Sequence, residues 1–303
     1  MNTTKKQKKT QNTNKHKTQT TKNPQTQLTY FLNDNMDRNT LKTIHDNFLS
    51  SDCEMVDNLN IILNTSGGSP SAAYDIAFYL RNFSKHITGY IPAGVFSSGT
   101  ILALSFDKLI CGDFGHLGPI DVQTPSYNAG MGFKSDSVLN LLASFEAVIE
   151  GGVHAMDIST AKIMDKSKLN IVESINASRS IVENAMTPLK NIDVNKLGDL
   201  YRARDLGAYY AYYVLKNIQG WSGEKAWDLA KFMSRNLPTH GFRVREWHLN
   251  ELGLPIAKPT KDELIGLNKL AFELDEMELF QGFVELNEVL NLNTKNQKPK
   301  KAA

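Results

Sequence analysis

The sequence predicts a layered α/β domain with parallel strand–helix–strand units and a helical C-terminal extension. Three observations predict it. Apolar runs of strand length alternate with helical patterns between residues 58 and 113, with short links between them. That alternation is the mark of parallel crossovers. Two of the strand-to-helix links carry glycine-bearing turns, "NTSGGSP" at 64–70 and "GVFSSGT" at 94–100. Beyond about residue 135 the apolar pattern is mostly helical, and no internal repeat interrupts it.

Taken in order, residues 1–27 are mostly Lys, Thr, Gln and Asn, with no acid and no large apolar residue after Met1. Such a segment cannot bury enough to offset its ordering entropy, so a disordered basic tail is expected. It reads as a solubilising tail or as a weak, non-specific contact to nucleic acid or an anionic surface. "DRNTLKTIHDNFL" (37–49) has the helical period, and "NLNIILNT" (58–65) is a buried strand. "SPSAAYDIAFYLRNF" (69–83) is an amphipathic helix that opens on a capping Ser69 and a first-turn Pro70. "HITGYI" (86–91) is a strand, "SGTILALSF" (98–106) a helix and "KLICGD" (108–113) a third strand. The last long pattern, about 260–292, opens with Pro259-Thr260 and repeats Leu264, Leu267, Leu270, Leu274 and Met277 at helical spacing. The expected organisation is one domain over 28–256, a C-terminal helix over 257–292 and a second basic tail over 293–303.

Composition bounds the function. A chain of 303 residues, 41% of them apolar, buries a substantial core. The formal net charge of +2 implies no strongly charged partner for the chain as a whole. Two cysteines, Cys53 and Cys111, make neither a disulfide framework nor a four-cysteine zinc site. They read as small buried hydrophobes in a reducing compartment. No apolar run is long enough for a membrane span, and the basic N-terminus lacks the features of a secretory signal, so a cytoplasmic protein is expected. P-loop, Rossmann and HExxH patterns are absent from the sequence. No nucleotide, other cofactor or metal is expected, and no specific nucleic-acid partner. "YRARDLGAYYAYYVL" (201–215) is aromatic and basic. Its Leu206, Tyr209 and Tyr213 share one helical face, which predicts core packing rather than base stacking.

The chemistry concentrates in the two glycine-bearing turns. Gly67-Gly68 exposes backbone N–H groups just before a helix, where the helix terminus adds positive potential. The second turn places Ser97 at the mouth of the next helix. Neighbouring parallel strands bring both turns to the carboxyl edge of the sheet. The Gly68 and Ser98 N–H groups then flank one small volume with the Ser97 hydroxyl facing it, a nucleophile beside an oxyanion hole. The plain alternative is that Ser97 caps the helix and the glycines form an ordinary turn.

The ordered set "LNTSGGSPSAAYDIAFYLR", "IPAGVFSSGTILALSFDKLICGD" and "GHLGPIDVQ" resembles the serine dehydrogenase proteinase family. That family groups with signal peptide peptidases and Clp protease subunits on the crotonase-like fold. The segment "THGFRVREWHLNELGLPI" (239–256) resembles its C-terminal His-Gly region more loosely. The resemblance implies a serine peptidase in which Ser97 is the nucleophile and Gly68 and Ser98 are the oxyanion donors. It also implies a peptide or protein substrate and a homo-oligomeric assembly, and leaves open an ATPase partner. Ser66, Val95 and Val122 depart from the family pattern without removing a reacting group.

The general base is not fixed by the resemblance. Clp proteases use a histidine and an aspartate, but none of Pro119–Asp121, where that histidine would fall, is one. His116, just after the third strand, is one candidate. Lys162, in "STAKIMDK", stands roughly where a signal-peptide-peptidase lysine falls, and such a base must be desolvated. His154 and His240 are further candidates, each open to a structural reading, and Asp121 suits the orientation of a histidine or, equally, a cap on the following turn or a subunit contact. Two rival functions remain. One is an acyl-CoA hydratase or isomerase on the same fold, disfavoured by the lack of an acid near either turn. The other is a catalytically silent oligomeric scaffold.

Overall fold

The computed structural model describes residues 27–51, 55–128, 132–191 and 193–290. The tails expected over 1–27 and 293–303 lie outside these residues, Gln27 excepted, as does Cys53. The first half of the chain builds β1 (Gln27–Asn33), α1 (Arg38–Ser50), β2 (Val56–Asn64), α2 (Pro70–Arg81), β3 (Ser84–Ile91), β4 (Gly94–Val95), α3 (Ser98–Ala103), β5 (Lys108–Cys111) and β6 (His116–Leu117). A hairpin follows, β7 (Gln123–Asn128) and β8 (Gly132–Ser137), and leads into the long helix α4 (Val138–Ser167). The remainder is α5 (Ile171–Ala185), α6 (Val194–Asn217), α7 (Gly223–Lys231), α8 (Glu246–Glu251), β9 (Ile256–Ala257), α9 (Lys261–Glu273), β10 (Phe280–Phe283) and α10 (Leu286–Val289).

The main sheet has the order β10-β1-β2-β3-β5-β9. All its pairings are parallel except that of β10 with β1. β2 is central and reads as an unbroken buried run from Leu59 to Leu63, as a strand covered on both faces must. Alternate residues serve opposite faces. Tyr30, Leu59, Ile61, Leu63 and Leu109 join a large cluster with side chains from α1, α2, α3, α6 and α7. Phe31, Ile62, Tyr90 and Ile110 face the other way, onto Leu267 and Leu270 of α9 and Leu274 at its C-cap. Each fully buried Leu or Ile contributes roughly 1.5–3 kcal/mol, so both faces of β2 are held firmly. α2 starts as expected: Pro70 is its first residue, and the Ser69 hydroxyl accepts from Ala72 N–H at 3.4 Å.

Two expectations are corrected. The C-terminal helix does not run over 257–292. A capping box between Thr260 and Glu263 starts α9, which ends at Glu273. The chain then turns back, and Phe280–Phe283 pairs antiparallel with β1. The open edge of β1 offers hydrogen bonds that override the helical period, since a strand here removes an exposed sheet edge. This pairing also forms a groove of about 690 Å³ in which Gln27, Leu28 and Thr29 lie beside Glu285, Leu286 and Glu288. The second correction concerns α6. Leu206, Tyr209 and Tyr213 are 46%, 50% and 43% exposed, while Ala208, Ala211, Val214 and Leu215 are fully buried. Small residues let α6 approach the core closely, and the larger rings are left outside, where Tyr209 packs on Trp227.

One polar knot joins the layers. Asp107 Oδ2 accepts from Arg81 Nη1 at 2.6 Å and from Ile87 N–H at 2.7 Å. Arg81 Nη2 also donates to the Ser105 carbonyl, which Gln219 Nε2, just past the end of α6, reaches at 2.7 Å. Asp107→Ala removes the acceptor for two partly buried donors. The expected cost is about 1.5–3 kcal/mol in urea unfolding, and a change below about 0.5 kcal/mol would show that the knot is not a tie.

Candidate active site

The two turns meet because β2 and β3 are parallel neighbours. Past the strand ends, Thr65 bridges to Val95, and Phe96 N–H donates to Thr65 O at 3.0 Å. β4 pairs in parallel with β6, and Ser97 N–H donates to Pro119 O at 3.1 Å. Ser97 is therefore gripped from both sides.

Its backbone has φ 52° and ψ −121°. A non-glycine residue in such a region costs of order 1–3 kcal/mol and persists only when its surroundings impose it. Ser97 stands at the N-cap position of α3, yet its hydroxyl makes no capping hydrogen bond. The capping explanation for this serine therefore fails. A strained serine between strand and helix, whose hydroxyl makes no hydrogen bond among the described residues, has the geometry of a nucleophile elbow.

The glycines are sterically required. Gly67 and Gly68 have φ 104° and 142°. A Cβ on Gly67 would come within 2.7 Å of Ser97 Cβ, and one on Gly68 would collide with the Met36 carbonyl. Met36 N–H donates to Gly67 O at 2.8 Å and Ser69 N–H to Met36 O at 2.6 Å, which bypasses the Gly68 N–H between them. Among the described residues, neither Gly68 N–H nor Ser98 N–H donates to another backbone group. Two unspent donors beside a free hydroxyl are what a developing oxyanion requires.

A cavity of about 190 Å³ opens here, lined by Gly68, Ser97, Ser98, Ile101, Ile120 and His240 among others. His240, from the loop between α7 and α8, brings an imidazole to the same space as Ser97. Its Nδ1 lies 2.7 Å from Asp121 Oδ1, and Asp121 is 2% exposed. A carboxylate on Nδ1–H fixes the tautomer in which Nε2 carries the free lone pair. This pairing spans 119 residues. The sequence held a weak signal for it, in the His-Gly segment and in an aspartate suited to orienting a histidine.

The other candidate bases lie elsewhere. His116 in β6 is 5% exposed, with Nδ1 2.8 Å from the Phe114 carbonyl and its ring edge-on to Phe96. Burial holds its pKa below the usual 6.5, and Arg243 and Arg245 add to this, against the opposing Phe114 hydrogen bond. Lys162 and His154 sit on α4 with exposed side chains. None of the three lines the cavity. Cys111 is buried, which pushes its thiol up to about 12. Among the described residues no group of three His, Cys, Asp or Glu is placed to hold a metal, and no helix is long and apolar enough to cross a membrane.

No protein-family model matches the chain. Two uncharacterized proteins of Methanocaldococcus jannaschii are similar in sequence. One is 25% identical over 212 residues, 70% of this chain and 58% of its own length. The other is 24% identical over 198 residues, 65% and 51% respectively. The chain thus spans little more than half of either relative. Among solved structures, ClpP1 of Listeria monocytogenes is 11% identical and covers 78% of this chain and 94% of its own, with a TM-score of 0.35. A membrane-bound stomatin-specific protease in complex with a substrate peptide is 12% identical, with 82% and 97% coverage and a TM-score of 0.31. The ClpP catalytic domain of Plasmodium falciparum is 20% identical over 27% of this chain and 50% of its own, with a TM-score of 0.24. At these scores no residue takes its role from a neighbour, and the site stands on its own geometry.

Two outcomes are expected. Ser97→Gly relieves the strained backbone whereas Ser97→Ala keeps it. The glycine variant should therefore be the more stable of the two by about 1 kcal/mol in denaturant unfolding. The reverse order would mean that the turn is unstrained. Burying neutral His116 costs nothing above the unfolded pKa of about 6.5, because both states are then uncharged. As pH falls below that value the unfolded chain takes up the proton first, so stability declines until the depressed folded pKa is passed. The unfolding midpoint should drop between about pH 7 and pH 5, and less so in His116→Gln. Parallel profiles for the two proteins would contradict this.

Proposed function

We propose that the chain is a serine peptidase that cleaves peptide bonds through an acyl-enzyme on Ser97. The observation that carries this reading is the strained Ser97, with its hydroxyl free, sharing a cavity with a histidine anchored on a buried aspartate. Ser97 Oγ attacks the scissile carbonyl carbon while His240 Nε2 takes its proton. Charge builds on the carbonyl oxygen, and the Gly68 and Ser98 N–H groups receive it. His240 then passes the proton to the departing amine, and Asp121 stabilises the imidazolium in between. Water repeats the sequence to free the acid. The reading makes His240 the base in place of Lys162 or His116, because it alone of the three reaches the cavity. No cofactor enters.

The substrate class is peptide or protein, and the working form is a homo-oligomer. Exposed Val153 of α4 and Ile171, Val172 and Ile181 of α5, between 47% and 63% accessible, support self-association. Sedimentation velocity should give a mass well above the 33.9 kDa of one chain.

The test is labelling by an alkyl fluorophosphonate with intact-mass readout. One adduct is expected on wild type, on Lys162→Ala and on His116→Gln, and none on Ser97→Ala. His240→Ala should label at least about 10³-fold more slowly. Absence of any adduct on the wild-type oligomer would leave a silent scaffold of the same fold. Undiminished labelling of His240→Ala would return the base to Lys162 or His116.

A further inference from the structure

Asp121 has both carboxylate oxygens engaged. Oδ1 meets His240 Nδ1 at 2.7 Å, and Oδ2 accepts from the Ser137 hydroxyl at 2.5 Å. Ser137 is 4% exposed and is the last residue of β8. It is also the N-cap of the 30-residue helix α4, where its Oγ accepts from Leu139 N–H at 3.2 Å. A hydroxyl has one hydrogen to give and lone pairs with which to accept. Here the hydrogen goes to the carboxylate and a lone pair to the helix, so the group cannot turn without breaking one bond.

A carboxylate held at one oxygen swings about its last side-chain torsion, which has a broad and shallow profile. A second donor on the other oxygen stops that swing, and it also meets the need of a buried charge for hydrogen bonds. We propose that Ser137 is a positioning residue for the reaction: it clamps the Asp121 carboxylate in the rotation that presents Oδ1 to His240, and ties that rotation to the first turn of α4. The inference rests on the serine peptidase reading above. The backbone beside the clamp is joined independently, since Val138 N–H donates to Val122 O at 3.0 Å. Loss of the Ser137 side chain therefore leaves α4 attached.

Ser137→Gly separates the two duties of the residue. Glycine is nearly as good an N-cap as serine, but it gives the carboxylate nothing. The experiment measures the second-order rate of fluorophosphonate labelling at Ser97 for full-length wild type, Ser137→Gly and Ser137→Thr, with thermal unfolding alongside. The expected result is a loss of about 10- to 100-fold in Ser137→Gly with an unfolding midpoint close to wild type. Ser137→Thr, which keeps the hydroxyl, should recover most of the rate. Wild-type rates in Ser137→Gly would overturn the inference and leave the peptidase reading intact. Equal losses in both variants, or losses that track a fall in the unfolding midpoint, would reduce Ser137 to a helix cap. No adduct on wild type would overturn the peptidase reading itself, and the clamp with it.

Discussion

The parallel register of β2 and β3 is the constraint on which the site depends. Because Ile61 lies opposite Gly89 and Ile62 opposite Tyr90, the two strands finish level. Their outgoing loops must then share one small volume. Thr65 is bridged to Val95 across that gap, and the next residues, Ser66-Gly67-Gly68 and Phe96-Ser97, press together. Glycine at 67 is what permits the approach, since any Cβ there would occupy the place of the Ser97 side chain. Strain at Ser97 is thus held by the sheet, which buries large side chains on both faces. The energy stored at one residue is small beside the burial that enforces it.

The electrostatic half of the site is assembled from farther away. Asp121 comes from the segment after β6, Ser137 from the end of the β7–β8 hairpin and His240 from the loop after α7. Each group satisfies another, so a carboxylate that is almost wholly buried is left with no unpaired oxygen. A buried charge without such partners would be costly. The arrangement keeps a carboxylate next to a cavity whose lining includes the apolar Ile101, Ile120 and Val122.

The sequence made the middle of the fold legible and left its margins obscure. β2, α2, β3, α3 and β5 announce themselves through local periodicity, and α2 through Ser69 and Pro70. β1 is not legible locally, because QLTYFLN follows a lysine-rich stretch and has meaning only once β2 and β10 flank it. β10 was hidden for the opposite reason: its phenylalanines lie within a helical period, and only the open edge of β1 selects a strand. The outward turn of Tyr209 was not legible either, since periodicity tells which residues share a face and not which face is inside. In the site, both glycine-bearing turns were visible as consecutive loops. The junction of Asp121 with His240 was not, because no local pattern encodes a contact across more than a hundred residues.

The pairing of β10 with β1 has an electrical consequence. It sets Gln27 beside residues 285–288 in one groove, so the two lysine-rich flanks attach at the same end of the sheet. Seven lysines precede residue 27 and four follow residue 290, with no acid in either flank. The overall charge of +2 therefore divides into +11 at the flanks and −9 over residues 27–290. Residues 27–290 therefore make a net acidic body, and the balance of positive charge comes from the two flanks of the sequence. The near-neutral net charge conceals this division: at physiological salt, where the Debye length is about 8 Å, a partner meets the acidic body or a basic flank and not their sum.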